Sequence, residues 1–385
     1  MKIGIDARLY PQKVGIGRYL RNLIKELEKI DTENDYIIFL TDEGVEQYHP
    51  HNKNFKKWLV NYKEYSISEQ IQLPLEFYRA KLDLLHVPHF NMPIIYNGRT
   101  VITIHDLIMH KSELNDKAGG FDYKRMAYKM VVKRAVKHPE KIIVPSEKVK
   151  NEIVEMIPNV DQEKIVVTYE AVDDHLLKYK INDQKVIRTR LEEMFIRKQY
   201  FLYVGSAYPH KNLNNLIVAF KELLEMYKFN GQMVFAGRVD KFSQRTAGYV
   251  HALQLDENII FAAKYTENNI VTDKDLAYLY SGAMAYVFPS LEEGFSITPL
   301  EAQAFGVPVV LSDIPTHREV FGDSVLYFDP TSNIDMTEKM YQISKDEELR
   351  KSLVEKGYRN VEKYSWNKLA QQTLEIYKEV MLSKD

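Results

Sequence analysis

Short apolar runs alternate with helical patterns along almost the whole chain of 385 residues. Such alternation is typical of βαβ units, in which consecutive strands lie parallel and helices cover the sheet. Because each half of the chain repeats this plan, the pattern predicts an α/β protein with two doubly wound, Rossmann-like parallel-sheet domains. The predicted strands are 2–5, 36–40, 82–87, 100–104, 141–145 and 165–168, then 200–204, 232–236, 258–261, 284–288, 307–311 and 325–328.

The length also favours two domains, because a single hydrophobic core rarely grows beyond about 250–300 residues. The first domain is predicted to span residues 1–172 and the second 173–365, since the strand pattern gives way there to a polar segment at 178–190. A last helix is predicted over residues 366–385. Its apolar face is formed by Leu369, Thr373, Ile376, Tyr377 and Val380.

The composition excludes several classes of protein. A hydrophobic content of 45% with 28% charged residues describes a globular chain, and the absence of Cys excludes a disulfide framework or a thiolate metal site. A net charge of −2 gives no general attraction to nucleic acid. The first strand begins directly at the N-terminus without a signal peptide, and no apolar stretch is long enough to span a bilayer. A cytoplasmic protein is therefore expected.

The stretch 289–302 carries the most specific chemical signal. It joins a predicted strand to a predicted helix, whose start is marked by Thr298 as N-cap, Pro299 at the first helical position and Glu301 three residues after the cap. A helix N-terminus presents backbone N–H groups and a partial positive charge, which suits a phosphate.

Two carboxylates accompany this helix start. Glu293 lies in the loop and Glu301 lies one turn into the helix, so both can accept hydrogen bonds from the hydroxyls of one ligand. The combination points to a sugar nucleotide. A second interpretation is that Glu301 only closes a capping box with Thr298 and that Glu293 belongs to a solvated loop.

The run Glu-Gly-Phe-x-x-x-Pro-Leu-Glu-Ala at 293–302 resembles the signature of the retaining glycosyltransferases of family 4, also called group 1. The resemblance implies the GT-B fold, in which two Rossmann-like domains face each other across a cleft and the last helix returns to the first domain. It implies that Glu293 contacts the donor hexose and Glu301 the ribose hydroxyls. The donor-site residues between them are Gly294, Phe295, Ser296 and Ile297.

A second segment of the resemblance, residues 203–212, opens the second domain. Family members carry a basic pair there, which holds the diphosphate and stabilises the departing nucleotide. Lys211 matches the family's phosphate-binding Lys, whereas His210 stands where Arg is common and Ser206 where some members have Arg. An imidazole offers fewer donors than a guanidinium, so these departures weaken the predicted grip on the diphosphate. Alternatively, Lys211 only begins the following helix.

The first domain offers two further candidates. Gly15 and Gly17 form a turn before the first helix, where backbone can approach a ligand phosphate closely, or they form a simple tight turn beside a solvated Arg18. The family resemblance implies that this loop touches the diphosphate or the acceptor. His105 follows a strand at the sheet edge where ligands bind in open α/β folds. The resemblance places His105 beside the donor sugar as a catalytic residue with Glu293 and Lys211, and Asp106 as its orienter or a turn residue.

Three residues at the ends of later strands in the second domain are expected near the nucleobase: Gly237, Lys264 and Tyr265. Members of this family commonly need no divalent ion, and the sequence has no His-x-x-x-His pattern. Neither a metal nor a cofactor beyond the sugar nucleotide is therefore expected.

A basic helix predicted over 122–137 carries Lys129, Lys133 and Lys137 beside apolar residues, which favours contact with a membrane surface. A second basic stretch, 53–58, adds to this interpretation. The alternative is an ordinary domain helix with its basic side in water.

The resemblance implies a retaining hexosyltransferase that uses a nucleotide-diphosphate sugar and a glycan or lipid-linked acceptor. GDP-mannose is the first choice of donor because the chain is similar overall to mannosyltransferase-type members of the family. The expected place is the cytoplasm, with peripheral association at the inner face of the membrane. No nucleic-acid partner is expected. The alternative is a non-catalytic GT-B subunit that only binds a sugar nucleotide or a partner, which Ser206 and His210 would favour.

Overall fold

The computed structural model describes residues 1–12, 15–62, 66–108 and 123–382. They fall into two compact units. Unit 1 runs from Met1 to Glu170 and resumes at Ser365, and unit 2 is Ala171–Tyr364. Both crossing points lie outside regular structure.

Unit 1 is built on a seven-stranded sheet, and all of its neighbouring strands are parallel. Its strands are β1 (Lys2–Asp6), β2 (Asp35–Leu40), β3 (Phe55–Leu59), β4 (Leu84–Val87), β5 (Thr100–Thr103), β6 (Lys141–Val144) and β7 (Ile165–Val167). The strand order is β3-β2-β1-β4-β5-β6-β7. The order changes direction between β1 and β4, and ligands of open α/β sheets bind at the carboxyl ends of such strands.

The helices of unit 1 cover the sheet between its strands. They are α1 (Ile16–Ile30), α2 (Asp42–Gln47), α3 (Ile67–Arg79), α4 (Tyr123–Lys137) and α5 (Glu147–Met156). Local sequence sets several of the helix starts: the Ser66 hydroxyl accepts from the N–H of Glu69 at 3.1 Å, and that of Ser146 accepts from Val149 at 3.3 Å.

Unit 2 repeats the plan with a six-stranded parallel sheet. Its strands are β8 (Tyr200–Val204), β9 (Gln232–Ala236), β10 (Ile259–Phe261), β11 (Ala285–Phe288), β12 (Val309–Ser312) and β13 (Leu326–Phe328). Their order is β10-β9-β8-β11-β12-β13, so the direction changes between β8 and β11. The helices are α6 (Asp174–Leu177), α7 (Gln184–Glu193), α8 (Leu213–Met226), α9 (Lys241–Ala252), α10 (Asp273–Gly282), α11 (Ile297–Ala304), α12 (Pro315–Phe321), α13 (Asn333–Lys345) and α14 (Glu347–Val361).

The last helix, α15 (Trp366–Leu382), belongs to unit 1 and packs against α1. The rings of Trp366 and Tyr19 lie 6.1 Å apart in an edge-to-face arrangement. The five residues predicted to form its apolar face are all buried. Residues 383–385 of the predicted helix lie outside the described residues.

The two parallel-sheet domains confirm the predicted fold class, and every predicted strand forms. One strand was missed. The basic stretch 53–58, interpreted above as membrane-related, largely forms β3 at the edge of the first sheet. Lysines on an edge strand discourage pairing with other chains, so their charge has a structural reason here.

Candidate active site

The loop after β11 buries a charged carboxylate. Glu293 is 7% exposed, and its Oε1 accepts from Lys211 Nζ at 2.5 Å and from the Ser290 hydroxyl. The Thr316 hydroxyl donates to the Glu293 carbonyl at 2.8 Å, which fixes the backbone of the loop. The structure therefore joins the two residues that the sequence assigned separately to hexose and diphosphate.

The protonation state of Glu293 follows from these contacts. Burial by itself would raise the pKa of the carboxyl, but the charge and hydrogen bond of Lys211, with the hydrogen bond from Ser290, outweigh it and hold the pKa below its usual value. Glu293 is consequently ionised at neutral pH and can accept hydrogen bonds from a ligand.

Lys211 is positioned by a short turn after β8. Pro209–Lys211 form one 3₁₀ turn, and Asn212 adopts the left-handed conformation, with φ 59°, at the start of α8. The His210 carbonyl accepts from the N–H of Leu291 at 2.8 Å, which ties this turn to the Glu293 loop. The Lys211 ammonium lies 5.1 Å from the centre of the Phe288 ring.

The start of α11 differs from the sequence-based prediction. The helix begins at Ile297 with Ser296 as N-cap at φ 81°, and no side chain caps it. The predicted capping box is therefore wrong. Thr298 instead accepts from the Tyr286 hydroxyl at 2.8 Å, and Glu301 Oε2 accepts from the Tyr280 hydroxyl at 2.9 Å. The left-handed turn at Ser296 starts the helix earlier, which moves Thr298 out of the cap position.

A buried histidine that the sequence analysis missed holds Ser296. His317 Nδ1 lies 2.8 Å from the Ser312 carbonyl, and its Nε2 lies 3.1 Å from the Ser296 hydroxyl. Because a carbonyl only accepts, Nδ1 carries the proton, and Nε2 accepts from Ser296. Burial lowers the pKa of His317 to about 4, so the ring is neutral. No sequence motif around His317 indicated its contact with Ser296.

The His317→Gln substitution should change the pH dependence of stability. The unfolded chain binds a proton near the ordinary value of 6.5, whereas the folded site does so only near 4, so His317 makes stability fall as pH drops from 6.5 to 4. The difference of roughly 2.5 pH units corresponds to about 3 kcal/mol. Urea unfolding between pH 7.5 and 4.5 should therefore show a shallower decline in the variant.

The exposed His251 provides the matched control, because its side chain is 83% exposed. The His251→Gln variant should follow the wild-type decline. An unchanged slope in His317→Gln would show that this imidazole does not set the acid sensitivity of unit 2.

In unit 1, His105 lies beyond the end of β5 and is oriented by a partner distant in sequence. Its Nδ1 lies 2.9 Å from Glu170 Oε1, and its ring stands edge-on to Tyr19 with centroids 4.7 Å apart. Asp106 accepts from the N–H of Ile108 at 3.1 Å, so it is the turn residue and Glu170 is the orienter. His105 Nε2 is buried and has no hydrogen-bond partner in the described part of the chain. Nε2 is therefore an enclosed polar atom whose hydrogen-bonding capacity is unused among the described residues.

A buried polar relay lies behind His105. The Tyr19 and Thr103 hydroxyls are 3.2 Å apart, Thr103 lies 2.8 Å from His86 Nε2, and His86 Nδ1 lies 2.6 Å from the Tyr377 hydroxyl on α15. Burial lowers the pKa of His86 to about 3, so this imidazole is neutral. The relay fixes Tyr19, whose ring contacts His105.

A pocket lies at the carboxyl ends of β1 and β4 in unit 1. Arg8 donates to both Asp6 oxygens at 2.8 Å and to Glu69 Oε1 at 2.7 Å, and Asn91 donates to both Glu69 oxygens. Every one of these charged groups is buried and paired. The pocket is lined by Asp6, Arg8, Leu9, Val87, Pro88, His89 and Asn91. Sequence reasoning missed this cluster because its members are separated by up to 85 positions and come together only in the folded chain.

Of the two glycines predicted to form a turn before the first helix, Gly15 is the N-cap of α1 and Gly17 lies inside the helix. A Cβ at Gly17 would lie 2.0 Å from the Gln12 carbonyl oxygen, so only glycine fits. Gly15 has φ 60° and open space around it. Arg18 is 7% exposed, so its interpretation as a solvated helix residue is wrong. Val14, which precedes these glycines in the sequence, lies outside the described residues.

The remaining predicted donor-site residues lie along the carboxyl edge of the second sheet. A Cβ at Gly237 would lie 2.1 Å from the Gly205 carbonyl oxygen, so the chain approaches closely where β8 and β9 end. The Ser206 carbonyl accepts from the Tyr203 hydroxyl at 2.7 Å. Lys264 and Tyr265 lie in a short 3₁₀ helix after β10, and both are exposed.

The loop residues beside Glu293 are mostly buried. Gly294 and Phe295 are buried, Ile297 is half-buried, and the Phe295 ring packs edge-on against Tyr364 at 5.6 Å. The Phe295 side chain therefore anchors the loop. Within the described ranges, no group of three or more His, Asp or Glu side chains is placed to hold a metal ion.

Solved structures that superimpose on nearly the whole chain include a sucrose-phosphate synthase and two proteins involved with sugar nucleotides or lipopolysaccharide. Sucrose-phosphate synthase from Thermosynechococcus elongatus superimposes with a TM-score of 0.76 at 19% identity, covering 100% of this chain and 99% of that one. WaaG, a glycosyltransferase involved in lipopolysaccharide biosynthesis, gives a TM-score of 0.74 at 15% identity over 98% and 99%. HepE from Anabaena, in complex with UDP-glucose, gives a TM-score of 0.74 at 15% identity over 98% and 100%. The chain has the GT-B fold.

Sequence comparison identifies the family. Residues 192–360 match the glycosyl transferases group 1, and residues 14–176 match glycosyltransferase family 4. The O-antigen chain mannosyltransferase RfbU of Salmonella typhimurium is 32% identical over 268 residues, which are 69% of this chain and 65% of that relative. O-antigen chain mannosyltransferase B of Escherichia coli is 26% identical over 94% of this chain and 96% of its own length. The chain belongs to glycosyltransferase family 4 and is a glycosyltransferase.

Proposed function

We propose that this chain is a retaining mannosyltransferase that transfers mannose from GDP-mannose to a glycan or lipid-linked acceptor. The observation that carries the proposal is the buried pair of Lys211 and Glu293 at the carboxyl edge of the second sheet, 2.5 Å apart. The choice of mannose rests on the two O-antigen chain mannosyltransferases among the relatives. A lipid-linked acceptor places the enzyme at the cytoplasmic face of a membrane, in peripheral contact with it.

The pair can serve both parts of the donor. An ammonium group has three N–H donors, and Glu293 uses one, so Lys211 can also donate to the diphosphate. Lys211 and Ser290 both donate to Glu293 Oε1, so Oε2 can accept from a hexose hydroxyl. Lys211 stabilises charge on the departing nucleotide, while Glu293 orients the sugar.

The other site residues complete the proposed donor binding. Glu301 accepts from the ribose hydroxyls, and His105 Nε2 accepts from a hexose hydroxyl because Glu170 holds Nδ1. The bond between the anomeric carbon and the β-phosphate oxygen breaks, and a bond to the acceptor oxygen forms on the same face. The acceptor proton passes to the leaving diphosphate. In this proposal the reaction needs neither a metal nor a further cofactor.

A donor panel tests the proposal. The purified chain should be stabilised against thermal unfolding by GDP-mannose more than by GDP-glucose or UDP-glucose, and it should slowly hydrolyse GDP-mannose. NMR should show retention of configuration at the anomeric carbon of the product formed with an acceptor.

Each alternative has its own result. Stabilisation by a donor without any turnover would favour the non-catalytic GT-B subunit. Stronger stabilisation and turnover with UDP-glucose would contradict the assignment of GDP-mannose, and an inverted product would contradict retention.

A further inference from the structure

Helix α3 is apolar on its outward face as well as its inward one. Leu73 and Phe77 are fully buried in the core of unit 1. On the opposite side, Ile67, Ile71, Leu75 and Tyr78 are 79%, 53%, 49% and 49% exposed. Their spacing of four, four and three residues forms one stripe about 16 Å long. A contiguous exposed apolar stripe of this kind marks an interaction surface.

The stripe continues into the segment that follows β4. Ile95 is 52% exposed, and the N–H of its neighbour Ile94 donates to Gln70 Oε1 on α3 at 2.9 Å. The rings of Tyr96 and Tyr78 lie 5.0 Å apart. These contacts hold Ile95 beside the stripe.

Helix α4 borders the same area with positive charge. The sequence of Tyr123–Lys137 contains six basic residues and no acidic one, in a chain whose net charge is −2. Arg134 donates to the Tyr96 carbonyl at 2.8 Å and to Asn97 Oδ1 at 2.7 Å. Met130, one turn before Arg134 on the same helix face, is 56% exposed, and Lys133 and Lys137 are exposed.

The acidic residues of α3 do not oppose this charge. Glu69 is buried and paired with Arg8, and Glu76 is paired with Arg79 at 2.7 Å. The α3–α4 surface is defined as the apolar residues Ile67, Ile71, Leu75, Tyr78, Ile95 and Met130 with the basic residues Lys133, Arg134 and Lys137. It combines an apolar stripe with a basic border formed by these three residues.

We propose that the α3–α4 surface docks unit 1 on an anionic lipid bilayer. Apolar side chains enter the boundary between headgroups and acyl chains, and the basic border pairs with anionic headgroups. A helix of six basic residues without any acidic one suits a uniformly anionic surface better than a protein patch of mixed charge. Within the part of the chain that the structure describes, no helix is both long and apolar enough to cross a membrane, so the contact is peripheral. This inference names the surface for the membrane contact in the proposed function and rests on it.

Vesicle sedimentation of the full chain tests the surface. Wild type should bind vesicles containing phosphatidylglycerol, bind pure phosphatidylcholine at least tenfold more weakly, and lose binding as salt is added. Lys133→Glu with Lys137→Glu should weaken binding to the anionic vesicles about tenfold or more. Ile71→Ser with Leu75→Ser should weaken it by a similar factor through lost apolar burial.

Matched controls come from unit 2, where Met226 is 67% exposed and Lys221 is partly exposed. Met226→Ser and Lys221→Glu should leave vesicle binding unchanged. Failure to bind, equal binding to both lipids, or unaltered binding by either surface variant would overturn the proposal. So would a dimer in solution that the stripe variant dissociates, because a second copy would then cover the stripe.

Solution turnover separates this inference from the proposed function. Both surface variants should keep wild-type melting temperature and GDP-mannose hydrolysis, which shows that they fold. A wild-type chain that hydrolyses donor without binding vesicles refutes the surface alone. A chain that binds anionic vesicles through this surface without any turnover refutes the enzymatic proposal alone.

Discussion

Lys211→Met is expected to reduce turnover about 100- to 1000-fold, because it removes the cation placed where charge develops on the leaving diphosphate. Methionine keeps an unbranched stem near the Phe288 ring, so the packing changes little. The measurement is the rate of GDP-mannose hydrolysis, with melting temperature recorded for each variant. Lys221→Met is the matched control, since Lys221 forms a surface pair with Glu225 at 3.8 Å.

A double variant distinguishes the effect of Lys211 on stability from its effect on catalysis. Lys211→Met leaves the buried Glu293 carboxylate without its cation, which should cost about 3–5 kcal/mol at neutral pH. Adding Glu293→Gln removes that charge and should restore stability but not turnover. If the double variant recovers turnover as well, Lys211 serves the fold and not the leaving group.

The pH dependence of the single variant follows from the same pair. In wild type the pKa of Glu293 is lower in the folded state than its ordinary value of about 4.5. Its contribution to the free energy of unfolding is therefore fully present above about pH 4.5 and is lost as the pH falls through the folded-state pKa. Without Lys211, burial raises the pKa of the Glu293 carboxyl. As the pH falls, protonation therefore removes the unpaired buried charge and reduces the destabilisation of the variant. The stability gap between Lys211→Met and wild type should therefore narrow from pH 7 towards pH 5.

Glu301→Gln is expected to weaken binding of the nucleoside diphosphate by about 1.5–3 kcal/mol, even without a sugar attached. This corresponds to roughly 10- to 150-fold in affinity, measured by calorimetry with GDP. The reason is the proposed contact of this carboxylate with the ribose hydroxyls.

Tyr280→Phe is the control for the internal role of Glu301. It removes the hydroxyl that donates to Glu301 Oε2 at 2.9 Å and leaves the carboxylate in place. Its loss of GDP affinity should be smaller than that of Glu301→Gln. If Glu301→Gln binds GDP as tightly as wild type and only melts earlier, the carboxylate is a structural acceptor and the ribose assignment is wrong.

Local sequence predicted most of the fold because the buried strands of a parallel sheet appear in the sequence as continuous apolar runs. The missed strand, β3, lies at the sheet edge and carries Lys56 and Lys57, so its pattern resembles a basic loop. The wrong N-cap at Thr298 has a similar origin. The motif fits a capping box, but Tyr286 reaches Thr298 from a neighbouring strand and the left-handed turn at Ser296 begins the helix earlier.

The sequence by itself determined the fold class and the positions of the glycosyltransferase signature, since both depend on residues close together in the chain. Only the tertiary structure decided how the side chains are paired. Lys211 and Glu293 are 82 positions apart and share one hydrogen bond, and Glu170 replaces Asp106 as the partner of His105 from 65 positions away. Contacts between the ends of different strands leave no periodic trace in sequence, because each depends on how the sheet brings distant loops to one edge.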